Sequence, residues 1–252
     1  MKVVLTVVRY PLWLSWAGFL SMAIFRLPLM INKNITFYKL MGSGKNGTFD
    51  IVPDIQQWAL IVCLKPGYTL PPAHEDLINS VYGKFIAGWY KFFRIQQWTV
   101  VLEAIEGHGL WDGKEVFGSL PKSTAYEGMI AVLTRATVRL SRLKNFWKHV
   151  ASAAAPLSTT QGFIHSIGIG EVPWIKQATF SIWQSKQSMK NYAYQAHQHQ
   201  AVIQKTRKEN WYSEEMFVRF IILESYGNLG AHYIVSPYLQ NNLTAAATTN
   251  KD

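Results

Sequence analysis

The sequence repeats itself, and this internal duplication limits the possible folds more than any other feature. The tripeptide Val-Leu-Thr occurs at residues 4–6 and again at 132–134, and each copy opens a β-branched segment that ends in arginine. Two further pairs of landmarks follow in the same order: Gly42/Gly44 with Gly168/Gly170, and Glu106/Gly109 with Glu224/Gly227. Because the order is kept while the spacing drifts by loop-sized amounts, the pattern indicates a duplicated structural unit.

Both halves show the same alternation of predicted strands and helices. β-Branched and aromatic runs bounded by Gly or Pro indicate strands, and longer segments with 3.6-residue spacing indicate helices. In the first half we predict strand 3–9, helix 12–30, strand 35–42, strand 57–64, helix 73–92 and strand 97–106. In the second we predict strand 129–139, helix 141–154, strand 162–170, strand 175–183, helix 186–208 and strand 214–224.

This element order is β-α-β-β-α-β in each half, the ferredoxin-like unit. Such a unit covers one sheet face with its helices and leaves the other face bare until a second sheet covers it. We therefore predict an α+β fold in which two fused ferredoxin-like repeats form a pseudo-symmetric barrel. The predicted divisions are a first repeat at 1–110, a linker at 111–128, a second repeat at 129–238 and a flexible tail at 239–252.

Residues 12–31 form an apolar stretch whose length would suit a membrane span or a signal peptide. Arg26 interrupts the stretch, Pro28 lies two residues after Arg26, and no Ala-x-Ala cleavage pattern is present. A strand-like segment also precedes it. We therefore predict a buried amphipathic helix here.

The net charge of +10 bears on the partners of the protein. Its Lys and Arg residues are spread along the chain and no nucleic-acid-binding motif occurs, so we expect no nucleic acid partner. A basic protein attracts acidic redox partners and anionic membrane surfaces. Cys63 is the single cysteine, so no disulfide within the chain or multi-cysteine metal site can form. These features predict a cytoplasmic protein and leave peripheral contact with the inner face of the membrane open.

The glycine-rich segments do not match nucleotide-binding loops. Gly168-Ile169-Gly170 follows a predicted strand and leads into another strand, whereas a dinucleotide fingerprint leads into a helix. The segment at 42–47, Gly-Ser-Gly-Lys-Asn-Gly, lacks the spacing of a phosphate loop. We interpret the glycines as the ends of central strands, where they permit a bend or a close approach of backbone or of a ligand.

Two histidines lie in the last predicted helix, His197 and His199. Side chains two positions apart on a helix point about 200° apart, so these two cannot bind one metal ion together. A haem iron needs a single proximal histidine, and His199 is a candidate for that role. From the residues alone, a hydrogen-bonded or surface histidine is the default interpretation.

Five ordered segments carry a resemblance to a known family. They are "FYKLMGSG", "GLWDGKEVF", "AVLTRATVR", "IGIGEVPWIKQATFSIW" and "HQAVIQKTRKENWYSEEMFVRF". Over about residues 2–226 the chain resembles the spheroidene monooxygenases, carotenoid ketolases of pigmented bacteria. The resemblance implies a fused dimeric α/β-barrel that holds haem b and uses O₂ to oxidise an acyclic carotenoid to a 2-keto product.

The resemblance also implies roles for individual residues. The family pattern has a histidine twelve residues before a tryptophan, which matches His199 and Trp211 and makes His199 the expected proximal haem ligand, with His165 in reserve. Arg135 is the expected partner of a haem propionate, with a sheet-end arginine as the alternative. The expected lining of the carotenoid slot is Trp58, Trp174 and Trp183.

Electrons for the reaction must come from an external reductant, because no flavin or nicotinamide motif is visible. An acidic ferredoxin-type donor suits this basic chain. Two other functions remain open: a haem-dependent barrel enzyme of dehydratase or peroxidase type, and a non-catalytic protein that binds haem or an apolar ligand. A homodimer also remains open.

Overall fold

The computed structural model describes residues 1–45, 52–71, 74–154, 157, 160–195, 206 and 208–229. The elements of the first half are β1 (Lys2–Arg9), α1 (Ser15–Ile24), α2 (Arg26–Ile31), β2 (Ile35–Gly44), β3 (Pro53–Leu64), α3 (His74–Tyr82), α4 (Lys84–Phe92) and β4 (Gln96–Gly109). Those of the second are β5 (Ile130–Val138), α5 (Leu143–Ala154), β6 (Phe163–Val172), β7 (Lys176–Trp183), α6 (Lys186–Gln195) and β8 (Tyr212–Gly227).

The described strands form one closed antiparallel barrel in the order β1-β3-β2-β6-β7-β5-β8-β4. The first half supplies β4-β1-β3-β2 and the second supplies β8-β5-β7-β6, which are equivalent orders. Two seams, β2 against β6 and β4 against β8, join the halves. The predicted fold of two fused ferredoxin-like repeats is therefore confirmed.

The repeated glycine pairs meet at one of these seams. Gly42 pairs with Gly170 across β2 and β6. The Ser43 hydroxyl donates a hydrogen bond of 3.0 Å to the Gly168 carbonyl oxygen. A Cβ atom on Gly170 would lie 2.9 Å from the Lys176 carbonyl oxygen, so a side chain there would force the strands apart. The glycines thus permit a close approach of backbone.

Two of the predicted helices are broken in the structure. The predicted helix 12–30 divides at Phe25 into α1 and α2, and the predicted helix 73–92 divides at Gly83 into α3 and α4. Gly83 has φ +88°, a left-handed conformation that glycine adopts with little strain. Most of the predicted helix 186–208 beyond α6 lies outside the described residues.

The apolar stretch Leu12–Ile31 is long and apolar enough to cross a membrane by length and composition, yet a third of its most apolar window is buried. One face of α1 packs on the outer side of β3 through buried residues that include Ala17 and Gly18, and Phe25 packs against Trp89 and Tyr90 of α4. The opposite face is exposed. The helical stretch is therefore amphipathic, as expected, but only one of its faces is buried.

Gly18 allows α1 to approach β3 closely, because a Cβ atom at this position would lie 2.4 Å from Nε1 of Trp58. That nitrogen donates to the Ile55 carbonyl oxygen at 3.1 Å, so the indole cannot move without losing a hydrogen bond. We expect Gly18→Ala to lower the free energy of unfolding by about 1–2 kcal/mol in urea denaturation, despite the better helix propensity of alanine.

The matched control is Gly88→Ala on α4. A Cβ atom at Gly88 has nothing within 4 Å, so the helix propensity of alanine should raise stability by up to about 1 kcal/mol. Stabilisation by both substitutions would contradict the close packing of Gly18 on Trp58.

The segment predicted as a linker, 111–128, contributes to the barrel core. Trp111, Val116 and Phe117 are buried in the cluster of side chains that fills the barrel. The ring centroid of Phe117 lies 5.3 Å from that of Phe220 on β8. The segment therefore packs into the barrel in addition to connecting its two halves.

Candidate functional site

The outer faces of the two halves differ at equivalent positions of the repeat. Thr6 on β1 is buried, and its hydroxyl makes hydrogen bonds of 2.7 Å to the Tyr82 hydroxyl of α3 and 2.9 Å to the Thr99 hydroxyl. Thr134, the equivalent residue on β5, is exposed. A position that α3 closes in the first half is therefore open in the second.

We call the surface around Thr134 the open face. Strand register places on it the outward side chains Val132, Thr134, Thr179, Ser181, Phe217 and Arg219. The alternate residues of the same strands point into the barrel core. The open face combines apolar side chains with hydroxyl groups and one guanidinium.

Two buried polar atoms on the open face, Thr179 Oγ1 and Arg219 Nε, have no hydrogen-bond partner within the described part of the chain. Each such atom costs free energy, because burial removes the water that would otherwise bind it. The Arg219 guanidinium also lies 4.7 Å from the centroid of the Phe217 ring. A bound group with acceptor atoms would satisfy the unpaired donor.

A buried ion pair lies at the edge of the open face. The Lys186 ammonium donates to Glu106 Oε2 at 3.0 Å, and each side chain is only 1% exposed. Arg219 pairs with the other carboxylate oxygen, and the Thr124 amide also donates to Glu106. Burial by itself would raise the pKa of Glu106, but these donors outweigh it and lower the pKa to about 2. Glu106 therefore stays ionised and holds Lys186 in place.

Lys186 is the first residue of α6, so the ion pair fixes the start of that helix beside the open face. Farther along α6, Met189 and Tyr192 pack against Trp183 of β7, with ring centroids of the two aromatic residues 5.4 Å apart. The chain passes from α6 into the segment that carries His199, which lies outside the described residues together with His197.

Trp211, the other half of the expected histidine–tryptophan pair, is fully buried beside α5. Its Nε1 donates to Glu209 Oε2 at 2.8 Å, and its ring packs against Phe146. The His149 ring lies 5.6 Å from the Trp211 ring. The cofactor roles of His199 and Trp211 stay predictions.

His165, the reserve ligand, lies on the opposite side of the sheet from the open face. After a bulge in β6 it follows the alternation of Ile167 and Ile169, whose side chains point into the barrel core. Its ring centroid lies 6.1 Å from that of Trp98, another core residue. A ligand on the open face is therefore out of reach of His165.

Sequence reasoning did not select His108 or His149. His108 pairs in register with Phe217, and the two rings stack with centroids 5.8 Å apart at the edge of the open face. His108 lies two positions after Glu106 on β4, so strand alternation could have placed it on that face. Nothing in the sequence indicated that His149 would pack beside Trp211.

Arg135 points into one end of the barrel, where it is 1% exposed. Its guanidinium makes ion pairs with Glu171 at 3.0 Å, Asp112 at 3.2 Å and Glu214. It also lies 5.4 Å from the centroid of the Trp111 ring. The expected contact of Arg135 with a haem propionate stays a prediction. In the structure the guanidinium is already paired with carboxylates of the chain itself.

A tight turn completes this barrel-end network. Asp112 and Gly113 have φ +50° and +74°, the signs of a type I′ turn, which favours Asp-Gly. The turn amides of Asp112 and Gly113 donate to the carboxylate of Glu214 at 3.0 and 2.8 Å. Burial would raise the pKa of Glu214, but these amides and Arg135 lower it. The Trp-Asp-Gly-Lys motif thus builds a carboxylate-binding turn.

The network gathers charged residues from all five segments that carry the family resemblance. Its members, in chain order, are Lys39, Asp112, Arg135, Glu171, Lys176 and Glu214. Burial would raise the pKa of Asp112, but hydrogen bonds from Lys176 and Lys39 lower it to about 2. The motifs are therefore far apart in sequence but adjacent at one end of the barrel.

The three tryptophans expected to line a carotenoid slot lie in different places. Trp58 packs under α1 on the first half, with its ring 4.9 Å from that of Phe19. Trp174 lies half-exposed in the turn between β6 and β7, and Trp183 is buried under α6 at the far end of β7. The structure does not bring the three together, and of them only Trp183 adjoins the open face.

Solved structures of the same architecture include aldoxime dehydratase, at a TM-score of 0.58 and 10% identity, covering 92% of this chain and 85% of that one. An aldoxime dehydratase in complex with butyraldoxime matches at a TM-score of 0.60 and 10% identity, covering 92% and 84%. At this identity the likeness shows the fold alone, and it agrees with the predicted dimeric α/β-barrel. No family model matches the sequence.

Three relatives share one name. The spheroidene monooxygenase of Cereibacter sphaeroides is 33% identical over 193 residues, which are 76% of this chain and 57% of that protein. The protein of that name from Rhodobacter capsulatus is 28% identical, covering 87% of this chain and 89% of the relative. That of Rubrivivax gelatinosus is 29% identical, covering 79% and 73%. By sequence, this chain is therefore a relative of the spheroidene monooxygenases, as its five motifs predict.

Proposed function

We propose that this protein is a haem-dependent monooxygenase that oxidises an acyclic carotenoid to a 2-keto carotenoid with O₂ and external electrons. The names of its relatives support a monooxygenase. The observation that carries the proposal for this chain is the open face, where Thr134 is exposed although its repeat equivalent is sealed. The second half thus has a surface that can receive a flat ligand.

The residues of the open face fit haem b. A porphyrin is flat and largely apolar and carries two carboxylates. Phe217 offers a partly exposed ring and Thr134 an exposed hydroxyl group. Thr179 Oγ1 and Arg219 Nε are buried polar atoms for which the described residues supply no partner. Bound haem would supply the iron at which O₂ is bound and activated.

Specific residues would hold the cofactor in this arrangement. His199 would bind the iron through a ring nitrogen, and its other ring nitrogen would need a hydrogen-bond acceptor. Arg219 would pair with a propionate through its Nε, which has no partner among the described residues. Arg219 faces one carboxylate, that of Glu106, whereas Arg135 already faces three. The Glu106–Lys186 pair would keep α6 against the sheet beside the cofactor.

The stoichiometry of the proposed reaction determines which substrates and electron donor the protein must bind. Converting a CH₂ group to a ketone by two hydroxylations and loss of water consumes two O₂, four electrons and four protons and releases three waters. The chain's apolar side chains would hold the polyene and exclude bulk water. Its net charge of +10 would attract an acidic ferredoxin-type donor.

Absorption spectroscopy and product analysis test the proposal together. Purified protein supplied with haem should show a Soret band, and a host that makes an acyclic carotenoid should accumulate its 2-keto derivative only in the presence of O₂. Protein that binds no haem would refute the proposal. Haem binding without a keto product would favour a different haem reaction or a carrier.

The open face can be tested separately. Thr134→Trp should fill it, as Tyr82 fills the equivalent position of the first half, and should lower haem binding at least about tenfold. Thr36→Trp, at an exposed threonine on β2, is the matched control and should leave haem binding unchanged. An unaltered Soret band in Thr134→Trp would place the cofactor elsewhere.

A further inference from the structure

The first half of the molecule exposes a broad apolar surface on its helices. Six large side chains define this apolar helical face: Trp13, Trp16, Phe19 and Met30 on or beside α1 and α2, and Phe85 and Phe92 on α4. Trp13 is 75% exposed, Met30 68% and Phe92 79%. Soluble monomers rarely expose so many large apolar side chains together, and such surfaces mark contacts with proteins or membranes.

Ring contacts make this face continuous from α1 to α4. The Trp16 ring lies 6.1 Å from the ring of Phe93, the residue after α4. Phe25, between α1 and α2, contacts Phe85 at a centroid distance of 6.3 Å. The exposed aromatic side chains therefore form one surface rather than scattered single residues.

Positive charge lies on and next to the helices that carry this face. Residues 1–49 contain no Asp or Glu. Exposed cations on or next to the same helices are Arg26, Lys33, Lys84, Lys91 and Arg94, and none of them makes an ion pair with a described residue. An apolar helix face bordered by unpaired Lys and Arg is the pattern of helices that lie in the interface of an anionic bilayer.

We propose that the apolar helical face docks this protein on an anionic lipid bilayer, with α1, α2 and α4 lying in the interface. Tryptophans such as Trp13 and Trp16 favour the headgroup region. The segment does not cross the bilayer, because Ala17 and Gly18 remain buried against the barrel and Phe25 remains packed on α4. The inference goes beyond the proposed reaction and does not depend on haem or on a carotenoid.

A second copy of the chain is a poorer occupant of this face. A two-fold contact would place the same surface against itself. Arg26, Lys84 and Lys91 would then meet like charges, with no carboxylate of α1, α2 or α4 to pair with them. Anionic headgroups supply the missing negative charge.

Flotation with lipid vesicles tests the docking. The full chain should float with phosphatidylcholine vesicles that contain about 30% phosphatidylglycerol and bind pure phosphatidylcholine at least about tenfold less well. Replacing Trp13, Met30 and Phe92 together by serine should weaken binding to the anionic vesicles at least about tenfold. These side chains are mostly exposed, so the thermal midpoint should change little.

The matched control replaces three exposed leucines outside the face, Leu110, Leu140 and Leu223, by serine and should float like the wild type. Equal binding by both triple variants, or no binding of the wild type to anionic vesicles, would overturn the proposal. Light scattering adds a third outcome. A wild-type dimer that the Trp13, Met30 and Phe92 substitutions dissociate, without vesicle binding, would make the face a contact between copies and also overturn it.

Discussion

Replacing Arg135 by methionine is expected to lower the free energy of unfolding by about 3 kcal/mol at pH 7. The guanidinium is 1% exposed and faces three carboxylates, from the turn at Asp112, from Glu171 on β6 and from Glu214 on β8. Methionine fills a similar volume but leaves Glu214 without a cation among the described residues, whereas Lys39 and Lys176 stay beside Asp112 and Glu171. Removing one partner from a buried ionic group is strongly destabilising.

The destabilisation should depend on pH with a definite sign. In the wild type the pKa of Asp112 is held at about 2 and that of Glu214 is also lowered. Their contribution to stability is present above the ordinary carboxylate value of about 4 and is lost as the pH falls toward about 2. Lys176 and Lys39 still lower the pKa of Asp112 in the variant, but Glu214 loses the contribution of Arg135 and takes up a proton at higher pH. The difference in stability between the two proteins should therefore shrink on acidification.

Arg139→Met is the matched control, because Arg139 lies just after the same strand and is exposed. It should change the free energy of unfolding by no more than about 0.5 kcal/mol. Urea denaturation of the three proteins between about pH 7 and pH 3 measures both effects. A loss in Arg135→Met that stays constant with pH would show that packing, not charge, is responsible.

The internal repeat allowed the architecture to be predicted from the sequence. Thr6 and Thr134 occupy equivalent outward positions, and Gly42 and Gly170 from the two copies pair at a seam. The repeated sequence landmarks reflect local patterns of strands and helices, and each half folds these patterns in the same way. The order of the strands within each half then follows from the ferredoxin-like unit, so the barrel could be predicted from the sequence.

The partners of individual side chains could not be predicted in the same way. Arg135 meets residues 23, 36 and 79 positions away, and such contacts depend on how strands from both halves align around the barrel. The turn at Asp112 looked like part of a linker because its Gly, Pro and Lys content is that of a loop. The opening at Thr134 also escaped prediction, because the sequence does not show that Tyr82 covers only the first copy.

The two halves therefore form one barrel but differ in how its outer surface is covered. In the first half, helices α1 to α4 seal the outer face of the sheet and carry apolar side chains outward. In the second half, Glu106 and Lys186 fix α6 at the edge of a face that stays open at Thr134. The outer surface of the barrel is therefore covered at Thr6 and exposed at the equivalent Thr134.

The largest functional effect is expected from His199→Gly, which should abolish the Soret band of protein supplied with haem. His199 is the residue proposed to bind the iron, and the reserve candidate His165 points into the barrel core, away from the open face. The substitution also leaves space for a free imidazole molecule. Adding imidazole to the variant should restore haem absorbance, a rescue that a purely structural loss would not show.

His197→Gly is the matched control for this experiment. It removes the same side chain two positions away, and on a helix the two side chains would point about 200° apart, so only one can face a bound iron. His197→Gly should therefore keep the Soret band without imidazole. If His199→Gly kept it as well, the ligand would have to come from elsewhere. His108, stacked on Phe217 at the edge of the open face, would be tested before His165, because the His165 ring points into the barrel core.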